Sequence, residues 1–167
     1  TYVGDPINAV KIFNDREVDE LAILDITATR ERRDPPFEHL QAIAGECFMP
    51  LSYGGGIRTI EQARRLFGLG VEKVLINTAA AEDPALLTTI AGEYGSQAVI
   101  VAIDAKSVRR ADATTYEVYA RSGQALTNRS AIEWARQAAD MGAGEILLTS
   151  IDRDGTKAGF DCELTAA

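Results

Sequence analysis

The feature that most constrains this chain is a recurring pattern. Short apolar runs are each followed by a polar or glycine-rich stretch and then by apolar residues at helical spacing. Five runs occur, at residues 21–26, 48–53, 73–77, 98–104 and 145–150. They show no clean apolar–polar alternation, as expected of strands covered on both faces. Helix signals fill the gaps. Asp5-Pro6 pairs a good N-cap with a proline in the first turn, ahead of Ala9, Val10, Ile12 and Phe13. Pro35-Pro36 opens a second helix, through about residue 45. Thr59 with Gln62 has capping-box spacing, and Gly70 closes that helix. Asp83-Pro84 starts another, through about residue 94. Residues 130–141 carry Ile132, Trp134, Ala135 and Ala138, with Gly142 as the stop. Asp161 caps the start of one more. Two stretches differ. Residues 27–34 read as a polar loop dense in arginine. Within 105–128 the alternation of Tyr116 to Ala120 and the turn signal Ser122-Gly123 predict a small hairpin. Strands alternating with helices imply parallel strands joined by right-handed crossovers. No linker or change of composition marks an internal boundary, so one domain is expected.

Charge and cysteine content narrow the function classes. The net charge is −8, from 25 acidic and 17 basic side chains. That balance argues against nucleic-acid or anionic-membrane partners, which call for clustered Lys and Arg. The apolar runs are too short to span a bilayer, and Thr1 opens no secretory signal. Cys47 and Cys162 are distant and lack metal-ligand spacing. A reduced cytoplasm is the simplest reading, with no metal and no cofactor expected. His39 is the single histidine and falls in a helix pattern, so it builds no Ser/His/Asp or zinc constellation.

Parallel α/β folds bind ligands at the C-terminal ends of their strands. There this sequence has Asp25, Gly54-Gly55-Gly56, Asn77-Thr78, Asp104 and the loop 152–156. The glycines permit a backbone to approach an anion and aim N–H groups at phosphate, and Asn77 and Thr78 add donors. A plain tight turn is the alternative. Asp104 ends an apolar strand, where partial burial suits a carboxyl group to acid–base work. It also suits a helix cap or a partner for Lys106 or Arg109. Asp154-Gly155-Thr156 cradles a second anion or forms an Asx-type turn. Glu20, Lys73 and Glu145 precede strand cores at the opposite ends. They are surface charges, or a charge-paired ring at the lower mouth of a closed barrel. Glu20 and Glu145 open similar acidic-then-apolar strand starts, an echo that a barrel built from two similar halves would show.

Five blocks occur in order: 24–28 around Asp25, 54–58 around the glycines, 73–80 around Asn77-Thr78, 101–106 around Asp104, and 142–156 ending in Asp152-Arg153-Asp154-Gly155-Thr156. Together they resemble the cyclase subunit of imidazole glycerol phosphate synthase, the HisF family, over essentially the whole chain. The last block is the most specific. The resemblance implies a (β/α)8 barrel. It also implies a reaction that joins ammonia, delivered by a glutaminase partner (HisH), to the ribulosyl aminoimidazole carboxamide nucleotide PRFAR, giving imidazole glycerol phosphate and AICAR. It implies two acid–base aspartates, one matching Asp104 and one on the first barrel strand, before this sequence begins. It assigns a phosphate site to Gly55, Gly56, Asn77 and Thr78. Ser122, Thr149, Asp154 and Gly155 match positions near the substrate or its second phosphate. Glu20, Lys73 and Glu145 match an ammonia gate.

A complete barrel of this kind runs to roughly 250 residues, and this sequence has 167. Its five strands correspond to barrel strands two through six. A partial barrel is therefore expected, inactive alone and open at two edges through which copies could associate. The segment 46–53 and the arginines between residues 30 and 33 resemble a HisF paralogue linked to amidation of bacterial surface sugars, the alternative reading.

Overall fold

A computed structural model describes residues 4–110, 113–121 and 123–167. They fall into two compact units, residues 1–75 and 76–167.

The first unit is built from two β–α–β crossovers. Helix α1 (Pro6–Asp15) starts where expected, with the Asp5 carboxylate accepting from the Ile7 N–H. Strand β1 (Leu21–Leu24) then pairs in parallel with β2 (Leu51–Gly54), and β2 with β3 (Lys73–Ile76). Helix α3 (Phe37–Glu46) joins β1 to β2, and α4 (Ile60–Gly68) joins β2 to β3. The predicted capping box forms in full: Thr59 accepts from the Gln62 N–H and Gln62 reaches back to Thr59. The Asn14 side chain donates to the Glu46 carbonyl at 2.7 Å and accepts from the Phe48 N–H at 3.1 Å, which ties α1 to the end of α3. Leu40, Ile43, Leu51, Tyr53, Leu66 and Val74 are buried. Two expectations need correction. The loop 27–34 contains a short helix, α2 (Ala28–Glu31), because the Asp25 carboxylate collects the Thr27 and Ala28 N–H groups at its start. The strand expected from residue 48 begins only at Leu51, and Phe48 is exposed.

In the second unit, α5 (Thr78–Glu82) and α6 (Ala85–Tyr94) precede β4 (Val99–Arg110). Helix α5 lies in a stretch the sequence pattern left unassigned. Strand β4 is longer than expected because it serves two partners. Its first half pairs in parallel with β7 (Glu145–Ser150), and its second half runs antiparallel to β5 (Ala113–Ala120). Strand β5 turns back through β6 (Ala125–Ser130), so the predicted hairpin is present. Helix α7 (Ala131–Asp140), capped by the Ser130 hydroxyl on the Glu133 N–H, returns the chain to β7. Trp134, Leu87, Ile90, Val99, Val101 and Ile103 are buried, with the Arg129 guanidinium 4.6 Å from the Trp134 ring centre. Helix α8 (Cys162–Ala166) is capped by Asp161, which accepts from the Leu164 N–H. Strands that alternate with crossover helices place the chain in the α/β class, in the manner of a partial (β/α)8 barrel. Ile146, Leu147 and Leu148 on β7 remain exposed. Among the described residues no helix is long and apolar enough to cross a membrane.

Candidate active site

Asp104 stands where β4 changes partners. Thr149 of β7 lies opposite it on one side and Tyr119 of β5 on the other. Asn77, at the end of β3, donates from Nδ2 to Asp104 Oδ2 at 3.2 Å and to the Ala102 carbonyl at 3.1 Å. The Thr149 side chain supplies a further hydrogen bond to Asp104. Burial pushes the Asp104 carboxyl above the usual aspartate range. The Asn77 and Thr149 hydrogen bonds oppose that rise, and the negative charge of Asp154 adds to it. A carboxyl group so held can give or take a proton nearer neutral pH than a free aspartate. Its partners are Asn77 and Thr149. Among the described residues it forms no ion pair with Lys106 or Arg109 and caps no helix, so those two alternatives fail.

Three of the sequence-predicted residues therefore gather around the carboxyl group of a fourth, Asp104: Asn77, Thr149 and, through its field, Asp154. Thr78 joins them indirectly. Its hydroxyl donates to Asn77 Oδ1 at 3.3 Å and accepts from the Arg121 N–H at 3.1 Å. Asp154 and Gly155 lie on an exposed turn, Gly155 with φ 70°. The Thr156 N–H is already bound to the Arg153 carbonyl. Asp152 anchors this loop by accepting from the Ser107 N–H and hydroxyl, both at 2.7 Å, which holds its carboxyl below the usual range. Ser122 lies outside the described residues.

The glycine triplet belongs to the first unit. A Cβ on Gly55 would come within 2.6 Å of the Asp25 carbonyl, and one on Gly56 within 2.5 Å of the Arg33 carbonyl. Both have positive φ, 130° and 70°. The triplet thus lets the loop after β1 lie directly on the turn after β2. Among the described residues no hydrogen bond engages the Gly55 or Gly56 N–H. Above them Asp25 accepts from the Thr27 hydroxyl at 3.0 Å and pairs with the Arg33 guanidinium at 3.1 Å. Asp25 is held below the usual aspartate range: burial would raise it, but its donors in Thr27, Ala28 and Arg33 prevail. Arg33 also binds Glu31 at 2.6 Å. Sequence reasoning noted the arginines here without assigning Arg33. The nearby acidic residues Asp25 and Glu31 were its available signal.

At the other strand ends of this unit, Glu20 pairs with Lys73 at 2.9 Å and accepts from the buried Ser52 hydroxyl at 2.5 Å. Ser52, then Lys73, keep the Glu20 carboxyl below its usual range against the cost of burial. Glu20, just before β1, and Lys73, at the start of β3, are therefore an ion pair. Ser52 escaped sequence reasoning because only the β1–β2–β3 register reveals it, as Ser52 stands beside both Ala22 and Lys73. Glu145 opens β7 in the second unit, half-buried. His39 is exposed on α3. Cys47 and Cys162 are free thiols.

The family model described as "Histidine biosynthesis protein" matches residues 1–167. A Pseudomonas aeruginosa protein named "Putative imidazole glycerol phosphate synthase subunit hisF2" is 51% identical over 160 residues, covering 96% of this chain and 62% of that protein. Proteins named "Putative imidazole glycerol phosphate synthase subunit HisF" from Leptospira interrogans and Leptospira borgpetersenii are 47% and 44% identical, each over 98% of this chain and 63% of the relative. The chain thus spans a little under two thirds of the length of these relatives. It belongs to the histidine-biosynthesis protein family and is HisF-like.

Proposed function

We propose that the complete protein carrying this sequence is the ammonia-dependent cyclase of an imidazole glycerol phosphate synthase. It would join ammonia to PRFAR and release imidazole glycerol phosphate and AICAR. The observation that carries this reading is Asp104, a partly buried carboxyl group held by Asn77 and Thr149 with its affinity for protons raised. Asp104 acts as one acid–base group of the cyclisation, and only one of the two aspartates the family resemblance calls for has a match in these 167 residues. Turnover is therefore assigned to the complete protein and not to this chain alone. The Gly55 and Gly56 N–H groups serve as phosphate donors, which their uncommitted state supports. Thr149, Asp154, Gly155 and Ser122 are assigned to the substrate and its second phosphate by resemblance. Glu20, Lys73 and Glu145 belong to an ammonia gate, and a HisH-like glutaminase is the partner that would feed it. The Glu20–Lys73 pair supports the gate in that it sets two of these three charged residues in contact.

The test is turnover of PRFAR with ammonium salts by the complete protein, with and without Asp104→Asn. Loss of product in the variant supports the role, and undiminished turnover removes it. The departures at residues 46–53 and 30–33 favour a second reading, an ammonia-handling paralogue that amidates a surface sugar. Arg33, clamped between Asp25 and Glu31, gives the arginine-rich loop a structural role beside the glycine turn. A complete protein inert toward PRFAR, encoded beside surface-polysaccharide genes, would establish that reading instead.

A further inference from the structure

The tip of the β5–β6 hairpin touches the residues that hold Asp104, and nothing in the proposed chemistry uses that contact. Arg121 sits at the tip with φ 53°, a left-handed conformation uncommon outside glycine. Its backbone N–H donates to Thr78 Oγ1 at 3.1 Å, and the Thr78 hydroxyl donates to Asn77 Oδ1 at 3.3 Å. Asn77 in turn spends its two Nδ2 protons on Asp104 Oδ2 and the Ala102 carbonyl. Every group is used within its capacity. A hydroxyl donates once and still accepts, and an amide donates from nitrogen and accepts at oxygen. The directions leave one consistent arrangement. With Arg121 donating to its oxygen, the Thr78 proton is free for Asn77 Oδ1, which keeps the Asn77 nitrogen toward Asp104. Turned over, the amide would present its oxygen to the carboxylate. The Arg121 guanidinium also pairs with Glu82 at 3.2 Å, so the tip is fixed at both ends of α5.

We propose that the hairpin tip is a positioning device for Asp104, with the Arg121 N–H acting through Thr78 and Asn77 to fix the donor that the Asp104 carboxylate receives. Thr78 is then a positioning residue as well as a neighbour of the substrate. The inference rests on the cyclase reading only for the importance of Asp104. The relay itself is a property of the fold. The groups facing Asp104 are Asn77, Thr149 of β7, Tyr119 of β5 and Asp154, whose charge acts on it.

The test is carboxyl-carbon NMR of the complete protein labelled at aspartate, with the Asp104 signal assigned by its loss in Asp104→Asn. A donor to a carboxylate favours the ionised form, so removing its support raises the titration midpoint. In Thr78→Val the Asp104 midpoint is expected to rise by about half a pH unit or more, and in Thr78→Ser to return to that of the unmodified protein. An unmoved midpoint in Thr78→Val overturns the proposal, including where that variant binds inorganic phosphate more weakly, since Thr78 would then be a ligand contact only. A shifted midpoint restored by serine, in a protein that fails to turn over PRFAR, upholds the relay and removes the cyclase reading.

Discussion

Asp104 is ionised at a cost, because the strands around it withhold the water that would solvate a carboxylate. A carboxyl group whose folded-state affinity for protons is raised favours folding most at pH below its unfolded value. That advantage is lost as pH rises through the folded value. Asp104→Asn removes a charge that folding disfavours. At neutral pH the variant is therefore expected to melt at or above the temperature of the unmodified protein. The gap should close as pH falls toward about 4, the ordinary aspartate range. Thermal melts across that interval check this, and a variant that melts well below the unmodified protein at neutral pH would contradict it. Tyr53 offers a second residue-scale test. Its hydroxyl is buried without a hydrogen-bond partner, and burial, then the charge of Asp25, push the phenol well above its usual range. A buried hydroxyl with no partner forfeits about 1–3 kcal/mol of solvation. Tyr53→Phe is thus expected to leave stability unchanged or to raise it by up to about 1 kcal/mol in denaturant unfolding. A loss of that size would reveal a partner for the hydroxyl.

Between elements, the glycine turn after β2 matters most. The Gly56 backbone is left-handed and lies against the Arg33 carbonyl, so even a methyl group forces the two segments apart. Gly56→Ala is expected to cost about 2 kcal/mol or more in denaturant unfolding, and a cost under about 0.5 kcal/mol would mean that the loop after β1 simply yields. This packing also shows what a sequence can disclose. Caps at Asp5, Thr59 and Asp161 were legible because each is a local bargain between a side chain and an N–H two or three residues on. The strands were legible from their continuous apolar character. Short α2 and α5 were not, since each has five residues or fewer and too little length for a period. The second half of β4 was hidden as well. Its residues are strand because β5 folds back on them, a non-local cause. In the site, Asn77 was legible from its place just after β3, and Asp104 as the polar residue that closes an apolar run, although β4 continues past it to Arg110. That Asn77 donates to Asp104, Ser52 to Glu20 and Arg33 to Asp25 depends on register and side-chain reach, which no spacing records.

At the scale of the whole molecule, the chain carries apolar surface on outlying strands. Leu24 of β1 is 49% exposed, and Ile146, Leu147 and Leu148 of β7 are 37–39% exposed. Strands with exposed apolar side chains and open edges tend to pair with another chain. Produced by itself, the 167-residue chain is expected to sediment as a species heavier than one chain at micromolar concentration. Replacing Leu147 with lysine should shift it toward the monomer. A well-folded monomer under the same conditions would show that these strands tolerate solvent. The proposed chemistry is that of an ammonia-dependent cyclase, with the carboxyl group held by Asn77 and Thr149 as one of its acid–base groups. The most direct measurement is the rate of imidazole glycerol phosphate formation from PRFAR and ammonium by the complete protein and its Asp104→Asn variant, with the fold of both checked by circular dichroism. Turnover is expected in the first and a loss of at least about a hundredfold in the second, with the fold intact. Equal rates in the two proteins would remove Asp104 from the chemistry.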